Sequence, residues 1–338
     1  MKILVGLSGG VDSAAAALTL MKKGHDVSGA VLVMHDFCDV DGAREVAQSL
    51  GIALHVVDLR ESFAQEVKRY FADEYAHGRT PNPCIICNER IKFAGLLSFA
   101  DENGFDMIAT GHYARVLRLG DRFTLGRAAD TKKDQTYMLY RLPQNVLSRL
   151  VLPLSDMTKE QSRGLLRDAG FDFSDKPDSQ EICFLPDGNY AEFVEEIYGK
   201  FPCGSFVSED GRVLGEHRGI INYTVGQRKG LGIALGERMF VTAIDPDKNT
   251  VTLAPEMSGK REICIVNAVY SGLCEDAFDE LHVLIKVRYT APLVQASATR
   301  LSDGKILLKT YDSVKAAPGQ SAVAYNADGS VLFGGIIV

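Results

Sequence analysis

The stretch "KILVGLSGGVDSAAAALTLMKKG", Lys2–Gly24, decides the fold. Its apolar opening, "KILVGL", has the length and composition of a strand, and its Ala/Leu-rich run, stopped by Gly24, has those of a helix. Between them, "GLSGGVDS" is a turn of small residues. Such a strand–loop–helix unit points backbone N–H groups outward at the helix start, where the helix dipole favours an anion. Gly6, Leu7, Ser8, Gly9, Gly10, Val11, Asp12 and Ser13 form this candidate phosphate site. Ser8 and Ser13 add hydroxyl donors, and Asp12 can hold Mg²⁺ or cap the helix. No Gly-Lys-Ser/Thr follows, so the loop is not a Walker A loop, nor does it carry GxGxxG spacing.

Outward from this unit, strands alternate with helices: "DVSGAVLVM", "DVDGAREVAQSLG", "ALHVVDL", "ESFAQEVKRYFADEYAHG", "ERIKFAGLLSFADENG" and "DMIATGHY". The alternation predicts an α/β domain on a parallel sheet. Nucleotide pockets in such sheets lie at the carboxyl ends of the strands, where Met34 and Gly111 fall. "MTKEQSRGLLRDAG" opens with a capping box, Thr158 to Gln161. From about Lys200 the chain changes to short β-rich runs broken by "EDG", "DPDKN", "SDG" and "ADG", as hairpins are. The expected domains are residues 1–198, a small central β domain at 199–258, and a β-rich third domain at 259–338, with a soft boundary near Pro255–Lys260.

Composition is that of a globular chain: 338 residues, 46% hydrophobic, with 16 Phe and 12 Tyr but no Trp. No apolar run approaches the ~20 residues of a membrane span, and the N-terminus carries no signal-peptide pattern. We therefore expect a cytoplasmic protein with no membrane partner. The formal charge is −7, so any nucleic-acid partner must be met by a local basic patch. Seven cysteines, an odd and dispersed set, argue for reduced thiols rather than a disulfide framework.

Two of those cysteines stand in "GRTPNPCIICNERIKF", Gly78–Phe93. A structural zinc site needs a second pair at matching spacing, and none exists. Two prolines hold "TPNP" extended, and helical "ERIKF" follows. Cys87 is thus expected near the positive end of that helix, with Arg79, Arg90 and Lys92 close in sequence, all favouring thiolate. Cys183, in "KPDSQEICF", sits in irregular polar sequence after a helix. Cys38, Cys203, Cys264 and Cys274 read as ordinary small residues.

SGGxDS after an apolar strand resembles the pyrophosphate loop of the ATP pyrophosphatases, which cleave ATP between the α and β phosphates and transfer AMP to an oxygen. The ordered set "GLSGGVDS", "GRTPNPCIICNERIKF", "ATGHYAR", "KKDQTYMLYRL", "DSQEICF", "TVGQRKGLG" and "PGQSAVAY" spans nearly the whole chain. It resembles the tRNA-specific 2-thiouridylases that modify the wobble uridine. The resemblance implies a pyrophosphatase domain, a small central β domain and a C-terminal β-barrel. It also implies ATP with Mg²⁺ and a tRNA anticodon stem-loop, together with a cysteine desulfurase or relay protein as sulfur donor. ATP would adenylate O2 of the uracil. Cys183 would carry sulfur as a persulfide, and Cys87 would be the nucleophile that pairs with it, either reducing the persulfide to release sulfide or closing a disulfide after transfer. An Asp often stands in this family where Cys84 stands here. That thiol is open to three readings: a poor proton shuttle, a spectator, or a third ligand with Cys87 and Cys183 for an iron–sulfur cluster.

A base inside an anticodon loop must be splayed out to be read. Asn82, Pro83 and Cys84 are the expected base contacts, and His112 faces the base or a phosphate. Lys133, Asp134 and Gln135 begin a helix beside Lys132. By resemblance, Arg288, Tyr289 and Gln320 carry the barrel's contacts. Two rival readings use the same residues differently: a synthetase adenylating a small metabolite needs no reactive cysteines, and a non-catalytic RNA-binding protein releases no AMP.

Overall fold

The structure, a computed structural model, describes residues 1–171 and 182–338. Its N-terminal part runs β1 (Lys2–Gly6), α1 (Val11–Lys22), β2 (Asp26–Val33), α2 (Val40–Leu50) and β3 (Leu54–Asp58). Then come α3 (Arg60–Phe63) and α4 (Arg69–Ala76), joined by a π turn over Ala64–Lys68. The cysteine segment forms α5 (Pro83–Cys87), a second π turn over Asn88–Lys92, and α6 (Phe93–Glu102). After β4 (Met107–Ala109) a hairpin intervenes, β5 (Arg115–Leu119) and β6 (Arg122–Gly126), which the sequence reading did not anticipate. Short helices α7 (Thr136–Leu139) and α8 (Gln144–Leu147) lead to β7 (Leu150–Val151), α9 (Lys159–Asp168) and α10 (Tyr190–Tyr198).

Five strands form a parallel sheet in the order β3-β2-β1-β4-β7. The chain direction across the sheet reverses between β1 and β4, so a crevice opens where those two strands end. One face is covered by α1 and α2, with Val11, Ala14–Ala17, Val46 and Leu50 buried against Ile3 and Val5. The other is covered by α6, whose Phe93, Leu96 and Leu97 pack on Leu4 and Ile108.

The central strands β8 (Gly204–Val207), β9 (Val213–His217), β10 (Phe240–Asp245) and β11 (Thr250–Ala254) form a sheet in the order β10-β11-β8-β9. Phe206, Val241, Val251 and Leu253 pack against Phe63, Val67 and Phe71 from α3, its π turn and α4. Six antiparallel strands then close a barrel: β12 (Lys260–Tyr270), β13 (Glu280–Lys286), β14 (Val294–Arg300), β15 (Ile306–Val314), β16 (Ser321–Tyr325) and β17 (Val331–Ile337). An α/β domain on a parallel sheet, a small central β unit and a C-terminal barrel are thus present.

The unanticipated hairpin explains how the barrel docks. Arg122 donates to the Tyr270 carbonyl at 2.8 Å, Thr124 donates to the Val331 carbonyl at 2.5 Å, and Gly126 bridges to Ser330. Its strands are laid down by a surface the barrel supplies, which a local reading of "RVLRLGDRFTLG" does not reveal.

Candidate active site

Gly6–Ser13 turns tightly from β1 into α1. Gly9 has φ +73°, and a Cβ there would lie 2.7 Å from an Asp39 carboxylate oxygen, so only glycine fits. Ser13 Oγ accepts from the Ser8 N–H at 3.2 Å and donates to the Gly10 carbonyl at 2.9 Å. No side chain caps α1 at Gly10, which leaves the first-turn N–H groups and the positive dipole end to an anion. Leu7 and Val11 are buried and contribute backbone only. Gly111, just beyond β4, presses on this loop: a Cβ there would lie 2.4 Å from the Asp12 carbonyl carbon.

Asp12 is engaged. Both its oxygens accept from Lys159 Nζ at 2.8 Å, and Tyr113 OH donates to Oδ1 at 2.8 Å. Lys159 opens α9, whose capping box on Thr158 and Gln161 forms as expected. A magnesium ion on Asp12 would have to displace Lys159, so the carboxylate does not fit as a ready metal ligand.

The cysteine site lies at the carboxyl end of neighbouring β2. Helix begins at Pro83, whose missing N–H suits the first helical position, not at Glu89. Cys87 therefore sits inside a continuous helix and is buried, 4% exposed. Its thiol contacts Met34 Sδ at 3.7 Å, and the Met34 N–H contacts Cys38 Sγ at 3.3 Å. Met34, expected at the adenine pocket, has its side chain against the Cys87 sulfur. Burial pushes the Cys87 thiol up to about 12, against the pull of Lys92. The expected thiolate is corrected accordingly: desolvation outweighs the charge. Arg79 and Arg90 do not help, because Arg79 pairs with Glu74 and Arg90 with Glu66, each at 2.6 Å.

Cys183 is an exposed free thiol beside Phe184, a buried ring set edge-on to Phe63 and Phe71, each at 5.5 Å. Cys87, Met34, Ile182 and Phe184 belong to one apolar cluster, and Cys183 is among the charges that raise the Cys87 thiol. Although the Cys183 residue is exposed, the protein packed around its sulfur desolvates that thiol and raises it as well, again opposed by Lys92. The first residues of its motif, 178–181, lie outside the described residues. All seven cysteines are free. Among the described residues no group of three or more His, Cys, Asp or Glu side chains is arranged to hold a metal ion. Cys84, Cys87 and Cys183 share a neighbourhood.

Sequence reasoning set aside Cys38, which the fold brings beside Cys87. His35, buried with an unpartnered Nδ1, was also missed, because nothing local marks either residue.

The expected RNA contacts divide. His112 accepts or donates at Thr110 Oγ1, 2.8 Å away, and lies 5.5 Å from the Phe93 ring. Burial, with Lys92 adding to it, lowers its pKa to about 3, so it is a neutral imidazole. Asp134 is buried; it accepts from the Ala128 N–H at 2.9 Å and from the Thr136 hydroxyl at 2.5 Å. Gln135 accepts from the Tyr113 N–H at 2.8 Å. Both shape the loop that carries Lys133. Asn82 reaches Met138 Sδ at 3.6 Å beside buried Pro83 and half-buried Cys84. Arg288 is exposed, and Tyr289 borders a cleft of about 650 Å³ with Arg127, Lys132 and Lys286. Gln320 is turned inward: its Nε2 donates to the Thr80 carbonyl at 2.8 Å. The Thr80 N–H donates to the Pro318 carbonyl at 2.9 Å, so the barrel grips the strand of chain leading into α5.

Three family models match in order: "tRNA methyl transferase HUP domain" over residues 1–187, "tRNA methyl transferase PRC-barrel domain" over 191–255, and "Aminomethyltransferase beta-barrel domain" over 262–338. A tRNA-specific 2-thiouridylase MnmA from Acetivibrio thermocellus is 42% identical, covering 100% of this chain and 99% of the relative. The chain belongs to the tRNA-specific 2-thiouridylase family. Another 2-thiouridylase, from Carboxydothermus hydrogenoformans, is 43% identical over 99% of this chain and 97% of its own. A solved 4-thiouridine synthetase–RNA complex with bound ATP is similar at TM-score 0.41 and 21% identity, over 58% of this chain and 50% of that one.

Proposed function

We propose that this protein is an ATP-dependent tRNA-uridine 2-sulfurtransferase that converts the wobble uridine to 2-thiouridine. One observation carries the reading: an uncapped SGGVDS loop and the Cys87–Cys183 neighbourhood occupy adjoining strand ends of one sheet. The loop holds the phosphates of ATP while O2 of the uracil attacks the α-phosphorus and pyrophosphate leaves. A hydroxide-like oxygen is a poor leaving group, and adenylation makes it AMP. A persulfide on Cys183, delivered by a desulfurase or relay protein, supplies sulfur. The Cys87 thiolate attacks Cys183 Sγ and the outer S–S bond breaks. A Cys87–Cys183 disulfide forms and hydrosulfide departs. Hydrosulfide adds to C2, and AMP leaves with the electron pair. An external dithiol then reduces the disulfide.

Residues 1–198 are the catalytic domain in this reading, and 259–338 contact the anticodon stem-loop through Arg288 and Tyr289, with the 199–258 unit between. The basic cleft beside Tyr289 supports phosphate contact there. Among the described residues no helix is long and apolar enough to cross a membrane.

The family-model names suggest a second reading, methyl transfer. The paired thiols favour sulfur, since a methyltransferase has no use for a persulfide carrier. Nucleoside mass spectrometry of tRNA after reaction with ATP and a persulfide donor separates the two. Cys87→Ala and Cys183→Ala each abolish 2-thiouridine in our reading; full activity in either refutes the pairing.

A further inference from the structure

Lys92 follows Cys87 by five residues. On a regular α-helix, five residues leave two side chains about 140° apart around the axis. The π turn over Asn88–Lys92, where the Phe93 N–H reaches the Asn88 carbonyl, closes i→i+5 and brings residues five apart one turn above each other. The sulfur-bearing face of α5 thereby gains a cation. Lys92 is half-buried and feels the charges of Cys87, Cys84, Cys183 and Cys38.

The arginines on this helix and around it have carboxylates: Arg79 with Glu74, Arg90 with Glu66, and Arg141 with Glu89. Among the described residues none pairs with Lys92. The remaining groups that face it are His112 beyond β4, which is neutral, and His35 after β2, whose Nδ1 is unpartnered and which also feels Lys68 and Asp36. A desolvated ammonium without a counter-ion is costly. Burial favours the neutral thiols at rest, so the anion Lys92 is placed to meet is one that appears on sulfur during transfer.

We propose that Lys92 is the cation that sulfur transfer calls on, its ammonium stabilising the Cys87 thiolate as it forms and then the departing hydrosulfide. The proposal rests on the sulfur-transfer reading above for its second half and on the π turn for its first.

The full chain is treated with iodoacetamide near neutral pH, and modification of Cys87 is followed by peptide mass mapping, with exposed Cys203 as the internal control. Lys92→Met is expected to slow Cys87 alkylation about tenfold or more, the effect of one unit in thiol pKa. Lys92→Arg is expected to stay within about threefold of the parent, because the charge is kept. Cys203 stays unchanged in both. Cys87 alkylated in Lys92→Met at the parent rate overturns the proposal. If Lys92→Met does not fold, Lys92→Gln and Lys92→Arg decide it: slow with Gln and fast with Arg supports it, and equal rates overturn it. If alkylation responds as expected while the parent makes no 2-thiouridine, the sulfur-transfer reading fails and the thiolate–ammonium pairing stands.

Discussion

The phosphate loop and the sulfur site adjoin at the carboxyl ends of two neighbouring strands of the same sheet, yet they are assembled in opposite ways. The loop is a single stretch, Gly6–Ser13, whose hydroxyls and backbone satisfy one another. The sulfur site collects Cys38 from beyond β2, Cys84, Cys87 and Lys92 from the α5–α6 run, and Cys183 from near α10. A site built from one segment takes its chemistry from backbone geometry, which composition already dictates. A site gathered from distant segments takes its chemistry from burial, which only the finished fold sets.

The contrast can be broken most forcefully at Gly111. Gly111→Val drives a side chain into the Asp12 backbone and is expected to cut ATP-dependent AMP release by about 100-fold or more, as misplacement at a reaction centre does. Cys87 alkylation should be unaffected, and a parallel loss there would mean the two sites are not separable. Next comes Phe184→Ala, which empties an aromatic seat shared by Phe63 and Phe71. It is expected to cost about 3 kcal/mol of stability, read by urea denaturation, and to slow sulfur transfer while sparing the first-turnover release of pyrophosphate in the surviving folded protein.

A pH series sharpens the comparison. His112 is held at about 3 in the fold against an ordinary 6.5, so the unfolded chain binds its proton first as pH falls. Stability present above 6.5 is therefore lost progressively down towards 3. His112→Gln should flatten that slope between pH 6.5 and 3, and an unchanged slope would show that other groups carry it. The smallest effect is expected at Gln320. Gln320→Ala removes the bond to the Thr80 carbonyl, worth about 1 kcal/mol. It should lower turnover a few-fold with tRNA affinity nearly constant; weaker tRNA binding with unchanged turnover would return Gln320 to the RNA surface.

These differences track what the amino-acid order displays. Gly9, Ser8 and Ser13 announce their loop because each acts on neighbours a few residues away, and the Thr158 capping box was legible for the same reason. The parallel sheet and the C-terminal hairpins followed from alternation and turn dipeptides. Helix α5 starts six residues ahead of the expected Glu89 because Pro83, read in sequence as holding the chain extended, also suits the first position of a helix. The Cys87 thiol was misjudged because charges are visible in sequence and desolvation is not. Cys38, His35 and the β5–β6 hairpin went unnoticed since each is given meaning by a partner far along the chain.

Gly319, at φ +88°, brings the barrel backbone so near Thr80 that a Cβ would lie 2.8 Å from its nitrogen. With Pro318 and Gln320 it makes a buckle, fastening the barrel to the rope from which Cys87 hangs. Deleting the barrel would then do more than lose a grip on RNA. It would slacken the reaction centre itself, so a truncated enzyme should be poor even on a minimal anticodon fragment that needs no barrel to bind.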